Sequence, residues 1–372
     1  MPRRGGEKPI PPPNTTMNTF DQMIERGHEQ VSFHYDPETQ LCAIIAIHST
    51  ALGNALGGTR RWHYATEADA LYDVLRLSEG MTYKAAAAGL PMGGGKSVIL
   101  LPQAKHPMNE ARARAMGRFV DTFNGKYIAA EDVGVNAQFV DWMALETKHV
   151  MGGETVAAGG DPSPYTARGV VNAMKACLGA VGKPIDFADV HVAIQGVGNV
   201  GFNIARILAE SGAKLTVADI DDDAVNRAVR ELGASAVALE DILTTRCDIL
   251  APCALGGVID ANLAGKLQCE VVCGAANNVL DDPDEDSAAL QNRNVLYAPD
   301  FVANAGGLIR LAGLYLGMTE QQVDAKIEEI QGTMQQILSE AATNRSTHAA
   351  AIAYAKEQIA AGRVKTEKVS AG

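Results

Sequence analysis

Lys84 and Lys96 stand in Gly80–Lys96, a segment whose other residues are mainly small, apolar or glycine. A segment of that composition reads as buried, and a buried ammonium is costly unless something pairs with it or it gives up its proton. The pair therefore suits anion binding or base chemistry. The plainer alternative is that both reach solvent on their aliphatic stems. Gly93, Gly94 and Gly95, directly before Lys96, favour the first reading, because they let backbone approach something closely. A third group of interest is Glu131-Asp132, which follows the apolar run Tyr127–Ala130 and precedes Gly134. It offers an acid for proton exchange, or simply a helix cap or turn. Gly95-Lys96-Ser97 resembles the end of a phosphate-binding G-x-x-x-x-G-K-[ST] loop, but that pattern needs glycine where Leu90 stands.

A nucleotide site is written more fully further on. The strand-like Val190–Gln195 runs into Gly196-Val197-Gly198-Asn199-Val200-Gly201, and a helical pattern, 202–211, follows. This is G-x-G-x-x-G in its required context. Gly196 suits the tight turn, Gly198 the close approach to a pyrophosphate and Gly201 the helix–strand contact, with Asn199 and Val200 opening the helix. A second strand, Leu215–Ala218, ends at Asp219, where an acid accepts hydrogen bonds from ribose hydroxyls. Asp221 and Asp222 nearby offer no arginine for a 2′-phosphate, so NAD is expected as cofactor and hydride transfer as chemistry.

The elements that must carry these residues alternate strand and helix. Helices are predicted at 20–26, 66–80, 109–123 and 166–181, with a helical region at 321–358. Strands are predicted at 31–35, 41–48, 98–101, 190–195, 215–219, 248–251, 270–273 and 295–298. The fold class is α/β with parallel βαβ units. The Gly/Ala/Ser/Pro composition of 152–164 marks a domain boundary. The expected organisation is a disordered Pro/Gly-rich extension 1–16, domains at 17–150 and 151–310, and C-terminal helices at 311–372. The 372 residues carry a net charge of −12, which argues against a nucleic-acid partner. No run suits a membrane span and the N-terminus lacks a secretory signal, so a cytoplasmic location is expected. The six cysteines include no C-x-x-C pair, and they and the eight histidines have no metal-binding spacing. Buried free thiols and no metal are expected.

Seven segments in order carry a resemblance: Leu56–Arg60, Gly80–Lys84, Gly93–Lys96, Ala130–Gly134, Gly160–Ala167, Gly274–Asn278 and Ala298–Gly307. From about Met17 onward the chain resembles the amino-acid dehydrogenases of the glutamate/leucine/phenylalanine/valine family, and most resembles the leucine and phenylalanine enzymes. The resemblance implies an N-terminal substrate-binding and oligomerisation domain, a C-terminal Rossmann domain for NAD, and a homo-oligomer. The implied reaction is reversible: L-amino acid, NAD and water give 2-oxo acid, ammonia and NADH. Lys84 matches the lysine that holds the substrate carboxylate. Lys96 matches the catalytic lysine of lowered pKa that activates water, and Asp132 the acid that exchanges protons with the amino group. Gly57 and Gly58 match the glycines that approach the substrate closely, and Met81 a wall of the substrate pocket. Thr166 and Asn277 match cofactor contacts, and Asn304 matches the substrate-binding asparagine that stands at the end of its strand and faces the reaction centre. Leu56, Ala130, Leu308 and Leu311 match pocket-lining positions. Glutamate enzymes of the family place a lysine where Leu56 stands, so an apolar L-amino acid, of leucine/valine/isoleucine or phenylalanine type, is the expected substrate. Arg310 and its apolar neighbours depart from the family pattern, which is often acidic there. A non-catalytic NAD-binding homologue of the same fold is the alternative; Lys84, Lys96 and Asp132 together argue against it.

Overall fold

The computed structural model describes residues 18–100, 109–154, 161–342 and 346–370. The extension 1–16 and residues 155–160 of the expected boundary lie outside the described residues. Two compact units form. One holds Asp161–Gly313 and Met318–Tyr354; the other holds the described residues up to 154 together with Leu314–Gly317 and the chain from Ala355 on.

The N-terminal unit is built on a mixed sheet of β1 (Gln30–Asp36), β2 (Leu41–Ser49), β3 (Ala55–Trp62), β4 (Gly93–Leu100), β5 (Tyr127–Glu131) and β6 (Val150–Met151), in the order β1-β2-β4-β3-β5-β6. β2 is antiparallel to β1 and β4, while β3 runs parallel to β4 and β5. Helix α1 (Thr19–Arg26) precedes the sheet, and α2 (Glu67–Ala87) covers one face, with Leu71, Val74 and Leu75 packed on Ile44, Ala46 and Val98. The other face packs against α3 (Glu110–Asp121) and α4 (Ala137–Ala144) through Met116, Phe119, Phe139 and Met143.

Two departures from the predicted elements matter for the site. α2 starts as expected, with a capping box between Thr66 and Asp69, but it continues through Gly80 to Ala87. The run Ala85–Ala87 propagates a helix well, and the helix packs directly on β4. β4 in turn begins at Gly93, five residues before the predicted strand. A methyl group at Gly94 would run into the Thr82 backbone of α2, and one at Gly95 would lie 2.7 Å from the Tyr127 ring. The glycines are therefore close-approach residues, but what they approach is the protein's own helix and neighbouring strand.

The C-terminal unit carries a wholly parallel sheet of β7 (His191–Gln195), β8 (Lys214–Ala218), β9 (Ser235–Ala236), β10 (Ile249–Pro252), β11 (Val271–Val272) and β12 (Leu296–Tyr297). Its order, β12-β11-β10-β7-β8-β9, reverses direction between β7 and β10, the doubly wound Rossmann arrangement. Helices α5 (Ser163–Ala180), α6 (Asn199–Glu210) and α7 (Asp222–Leu232) belong to this unit. The C-terminal helices divide between the two units. Helix Glu320–Ala341 buries Val323, Ile327, Ile330, Met334 and Ile337 at helical spacing and packs on α5. Ala355 and Ile359 of helix Thr347–Ser370 instead pack on Ala86 in the N-terminal unit. Each apolar stripe joins whichever core it can extend. All six cysteines are free thiols; Cys177, Cys247 and Cys273 are buried, whereas Cys42, Cys253 and Cys269 are only half-buried.

Candidate active site

Alternation along the strands decides what the N-terminal unit brings together. Leu56 pairs with Gly94 and Ile128, Gly58 with Ala130, Arg60 with Val98, and Ala46 with Lys96. Paired residues share a face, so Leu56, Gly58, Arg60, Lys96 and Ala130 all point to the α2 side of the sheet. Gly57 falls on the opposite face, where its carbonyl accepts the Tyr127 hydroxyl at 2.8 Å. Asp132 is the first residue beyond β5. Gly134, at φ +78°, closes the turn that follows and packs against the Arg61 carbonyl, leaving no room for a side chain. The room above Gly58 is similarly spoken for: a methyl there would lie 2.6 Å from the Glu131 carbonyl and 2.7 Å from Asp132 Cβ.

The result is a short ion pair, Lys96 Nζ to Asp132 Oδ2 at 2.5 Å, with Lys96 buried. The same oxygen receives Arg60 Nε at 3.3 Å. Burial works against the Asp132 carboxylate, but the nearby charges of Lys96 and Arg60, and the Lys96 hydrogen bond, outweigh it and hold its pKa well below the usual carboxylate range. Arg60 Nη1 also donates to Asp73 Oδ2 at 3.1 Å, and Asp73 takes further hydrogen bonds from Tyr64 Oη at 2.7 Å and Arg76 Nη2 at 3.1 Å. Lys84 and Met81 are half-buried in the last turns of α2. Leu56 and Ala130 are buried, and Glu131 is exposed at the end of β5. Thus Lys96 and Asp132 are in contact, with Leu56, Gly58 and Ala130 on the same sheet face.

Arg60 and Asp73 carried no role in the sequence reading. Their signal was present, however: an arginine among the strand residues that follow Leu56, and an aspartate on the apolar face of α2.

In the C-terminal unit the glycine loop sits at the switch point. Gly196 is at φ +93°, and a side chain there would lie 2.7 Å from Ala254 Cβ at the end of β10. A methyl at Gly201 would run into the Gly196 carbonyl, whereas one at Gly198 would meet nothing within 4 Å. Gly198 is the N-cap of α6, with Asn199 and Val200 as its first residues. Asp219 follows β8 and braces the loop, accepting from Val197 N at 2.7 Å and Asp221 N at 3.0 Å. Asn304 is buried. Its Nδ2 donates to Asn277 Oδ1 at 2.8 Å and to Ala275 O at 3.1 Å, while its Oδ1 is a buried acceptor with no partner. Thr166 lies in the first turn of α5, and a methyl at Gly307 would lie 2.7 Å from its Oγ1. Leu308 is buried and Leu311 half-buried on helix Gly306–Leu316. Arg310 is absorbed into this unit: it pairs with Glu320 and lies over the Tyr165 ring, 4.8 Å from its centroid. Among the described residues, no group of three or more His, Cys, Asp or Glu side chains could hold a metal ion. No helix among them is long and apolar enough to cross a membrane.

A doubly wound sheet with G-x-G-x-x-G at its switch point, joined to a second unit bearing a buried lysine–carboxylate pair, defines the class of two-domain dehydrogenases. Residues 28–149 match the dimerisation domain of the Glu/Leu/Phe/Val dehydrogenases, and residues 161–227 and 218–372 match the Glutamate/Leucine/Phenylalanine/Valine dehydrogenase model. The chain belongs to this family and is an amino-acid dehydrogenase. It is 45% identical to leucine dehydrogenase of Geobacillus stearothermophilus over 92% of this chain and 94% of that protein. It is 41% identical to phenylalanine dehydrogenase of Lysinibacillus sphaericus over 85% of this chain and 84% of that one. The crystal structure of L-tryptophan dehydrogenase from Nostoc punctiforme superposes with a TM-score of 0.83 at 38% identity, covering 92% of this chain and 99% of that one.

Proposed function

We propose that this enzyme carries out the NAD-dependent, reversible oxidative deamination of an apolar L-amino acid of leucine/valine/isoleucine or phenylalanine type. The products are the 2-oxo acid, ammonia and NADH. The observation that carries the reading is the Lys96–Asp132 pair, set on the same sheet face as the hydrocarbon of Leu56. A glutamate side chain brought against Leu56 would lose its hydration without gaining a cation, at a cost of several kcal/mol. The names of the relatives point the same way.

In this reading Lys84 holds the substrate carboxylate on α2, and Asp132 takes the proton that the substrate ammonium must release. Lys96 Nζ, neutral at this step, takes a proton from the water that attacks the imine carbon; Asp132 then returns its proton to the carbinolamine nitrogen, the C–N bond breaks to release ammonia, and the hydroxyl proton leaves to solvent as the 2-oxo acid forms. Met81, Leu56 and Ala130 offer hydrocarbon to the side chain, and the missing side chain of Gly58 lets Asp132 sit close to β3. Leu308 and Leu311, on helix Gly306–Leu316, are also assigned to the substrate side chain in this reading.

The C-terminal unit fits a dinucleotide. Gly198 leaves open space at the start of α6, and the Asn304 Oδ1 acceptor suits the amide of a nicotinamide. Gly196, Gly198, Asn199, Val200 and Gly201 would take the pyrophosphate, Asp219 the adenosine ribose, and Thr166, Asn277 and Asn304 the nicotinamide end. When bound, NAD supplies the acceptor for the hydride on the substrate Cα. A homo-oligomer in the cytoplasm completes the proposal.

The test is NADH formation with leucine, valine, isoleucine, phenylalanine, tryptophan and glutamate. The best rate belongs to one of the apolar substrates; activity with glutamate alone would overturn the specificity.

A further inference from the structure

We propose that Arg60 and Asp73 are positioning residues of the reaction: Arg60 holds Asp132 in place beside Lys96 and, through Asp73, ties that acid to the helix that carries Lys84. The proposal rests on the roles given above to Lys84, Lys96 and Asp132. Arg60 is 4% and Asp73 1% exposed. Two charges buried so deeply cost several kcal/mol each to desolvate, and packing alone would be served as well by apolar residues of similar size. What an arginine adds is span. Its planar guanidinium presents several donors at once, and here Nε reaches Asp132 while Nη1 reaches Asp73.

The two ends of that bridge serve different needs. Asp132 Oδ2 faces two cations, of which Lys96 is asked to give up its proton during the reaction. Arg60 does not deprotonate, so Asp132 keeps a positive partner, and its position, while Lys96 is neutral. Asp73 lies eleven residues before Lys84 on α2. That interval is close to three full helical turns, so the two share one stripe of the helix. The Arg60–Asp73 bond therefore fixes the rotation of α2 about its own axis relative to β3, and with it the direction in which Lys84 projects. Tyr64 and Arg76 hold Asp73 from its remaining sides.

The charged and titratable groups around Asp132 are Lys96 from β4, Arg60 from β3, Tyr127 from β5 and Tyr64 beyond β3, with Asp73 and Arg76 of α2 one contact further on. The experiment measures kcat and KM for the best amino acid across pH, with melting temperature as the fold control, in Arg60→Gln, Arg60→Lys, Asp73→Asn and the double variant Arg60→Gln/Asp73→Asn. Arg60→Gln lowers kcat/KM by about 10- to 100-fold, the loss of one charge-assisted hydrogen bond. It also moves the acid limb of the kcat/KM profile upward by ~1 pH unit. Arg60→Lys restores the acid limb but not the amino-acid KM, because a single ammonium cannot span both carboxylates. Asp73→Asn leaves the Arg60 charge on Asp132, so its acid limb stays at or below that of the parent while the amino-acid KM rises. The double variant removes both charges together; it regains melting temperature over the singles and keeps the shifted limb, so the test stays readable if a single variant folds poorly. Lower melting temperatures with the parent's KM and pH profile would reduce the network to a structural one and overturn the proposal. Full turnover in Asp132→Asn would instead overturn the reading of the site on which it rests.

Discussion

His28 makes the N-terminal unit acid-labile in a window that can be calculated. It lies between α1 and β1, is 8% exposed, and places Nε2 at 2.9 Å from Ser78 Oγ and 3.1 Å from Leu75 O. Its Nδ1 is buried with no hydrogen-bond partner, and the His48 ring stands edge-on with centroids 4.8 Å apart. Burial first, then the neighbouring His48, and more weakly Arg26, push its pKa from 6.5 down to about 3, against the pull of the Leu75 carbonyl. Between those two values the unfolded chain binds one proton more than the folded one. Stability from this group is therefore complete above pH 6.5 and falls as the pH drops towards 3, by up to about 1.4 kcal/mol per pH unit. Between pH 7 and pH 5 the loss is about 2 kcal/mol. Asp132, with its pKa depressed, contributes stability that is lost only below the ordinary carboxylate range, so it does not disturb this interval. The assay is urea unfolding at fixed protein concentration at pH 7, 6 and 5, for the parent and His28→Gln, whose carboxamide can still meet Ser78 and Leu75. The difference between the two proteins should shrink by about 2 kcal/mol over that range. Parallel stability curves would refute the reasoning.

Other outcomes are expected at the sites themselves. Lys96→Ala lowers turnover by roughly a thousandfold while NADH affinity, read by fluorescence titration, changes little; turnover within tenfold of the parent would remove Lys96 from the chemistry. Gly58→Ala forces a methyl against Glu131 O and Asp132 Cβ, so it should cost about 1–3 kcal/mol in melting experiments and lower kcat as well. An unchanged kcat would mean that the position of Asp132 is not critical. Asp219→Ser removes the acid proposed for the ribose and a brace of the glycine loop, so the KM for NAD should rise about tenfold, by roughly one charge-assisted hydrogen bond, and the preference over NADP should narrow. A preserved preference would place cofactor selection elsewhere.

How much could be read from the sequence depended on whether a residue's partners were local. β7, β8, β10, β11 and β12 of the C-terminal sheet lie in apolar runs because both faces are buried, and they stand out between turn residues; β9, two exposed residues at the sheet edge, does not. β3 does not. Gly57-Gly58-Thr59-Arg60-Arg61 has no apolar period, and its strand state comes from pairing with β4 and β5. Lys84 and Lys96 were visible as charges in an apolar setting, and Asp132 as an acid behind an apolar run. That Lys84 rides on a helix was hidden by Gly80, a residue that weakens helices and here fails to stop one. Arg60 and Asp73 were obscure for another reason: Arg60 had no predicted strand to sit on, and an aspartate on the apolar face of a helix signals a buried charge without showing its partner until the sheet and α2 come together.

The return of the chain from Ala355 on, in helix Thr347–Ser370, to the N-terminal unit bears on the order in which that unit can be completed. Ala355 and Ile359 pack against Ala86, and Gly362 lies so close to Leu52 that a methyl there would collide with it. The segment that carries Lys84 thus waits for residues made some 270 positions later. While the chain is still on the ribosome, the first-made unit has a bare patch of alanine and leucine where this helix will sit. Its closure depends on a contact of very long sequence separation, the kind that forms late and leaves apolar surface uncovered in the interval. A chain that loses its last helix would lose it from the half that was made first.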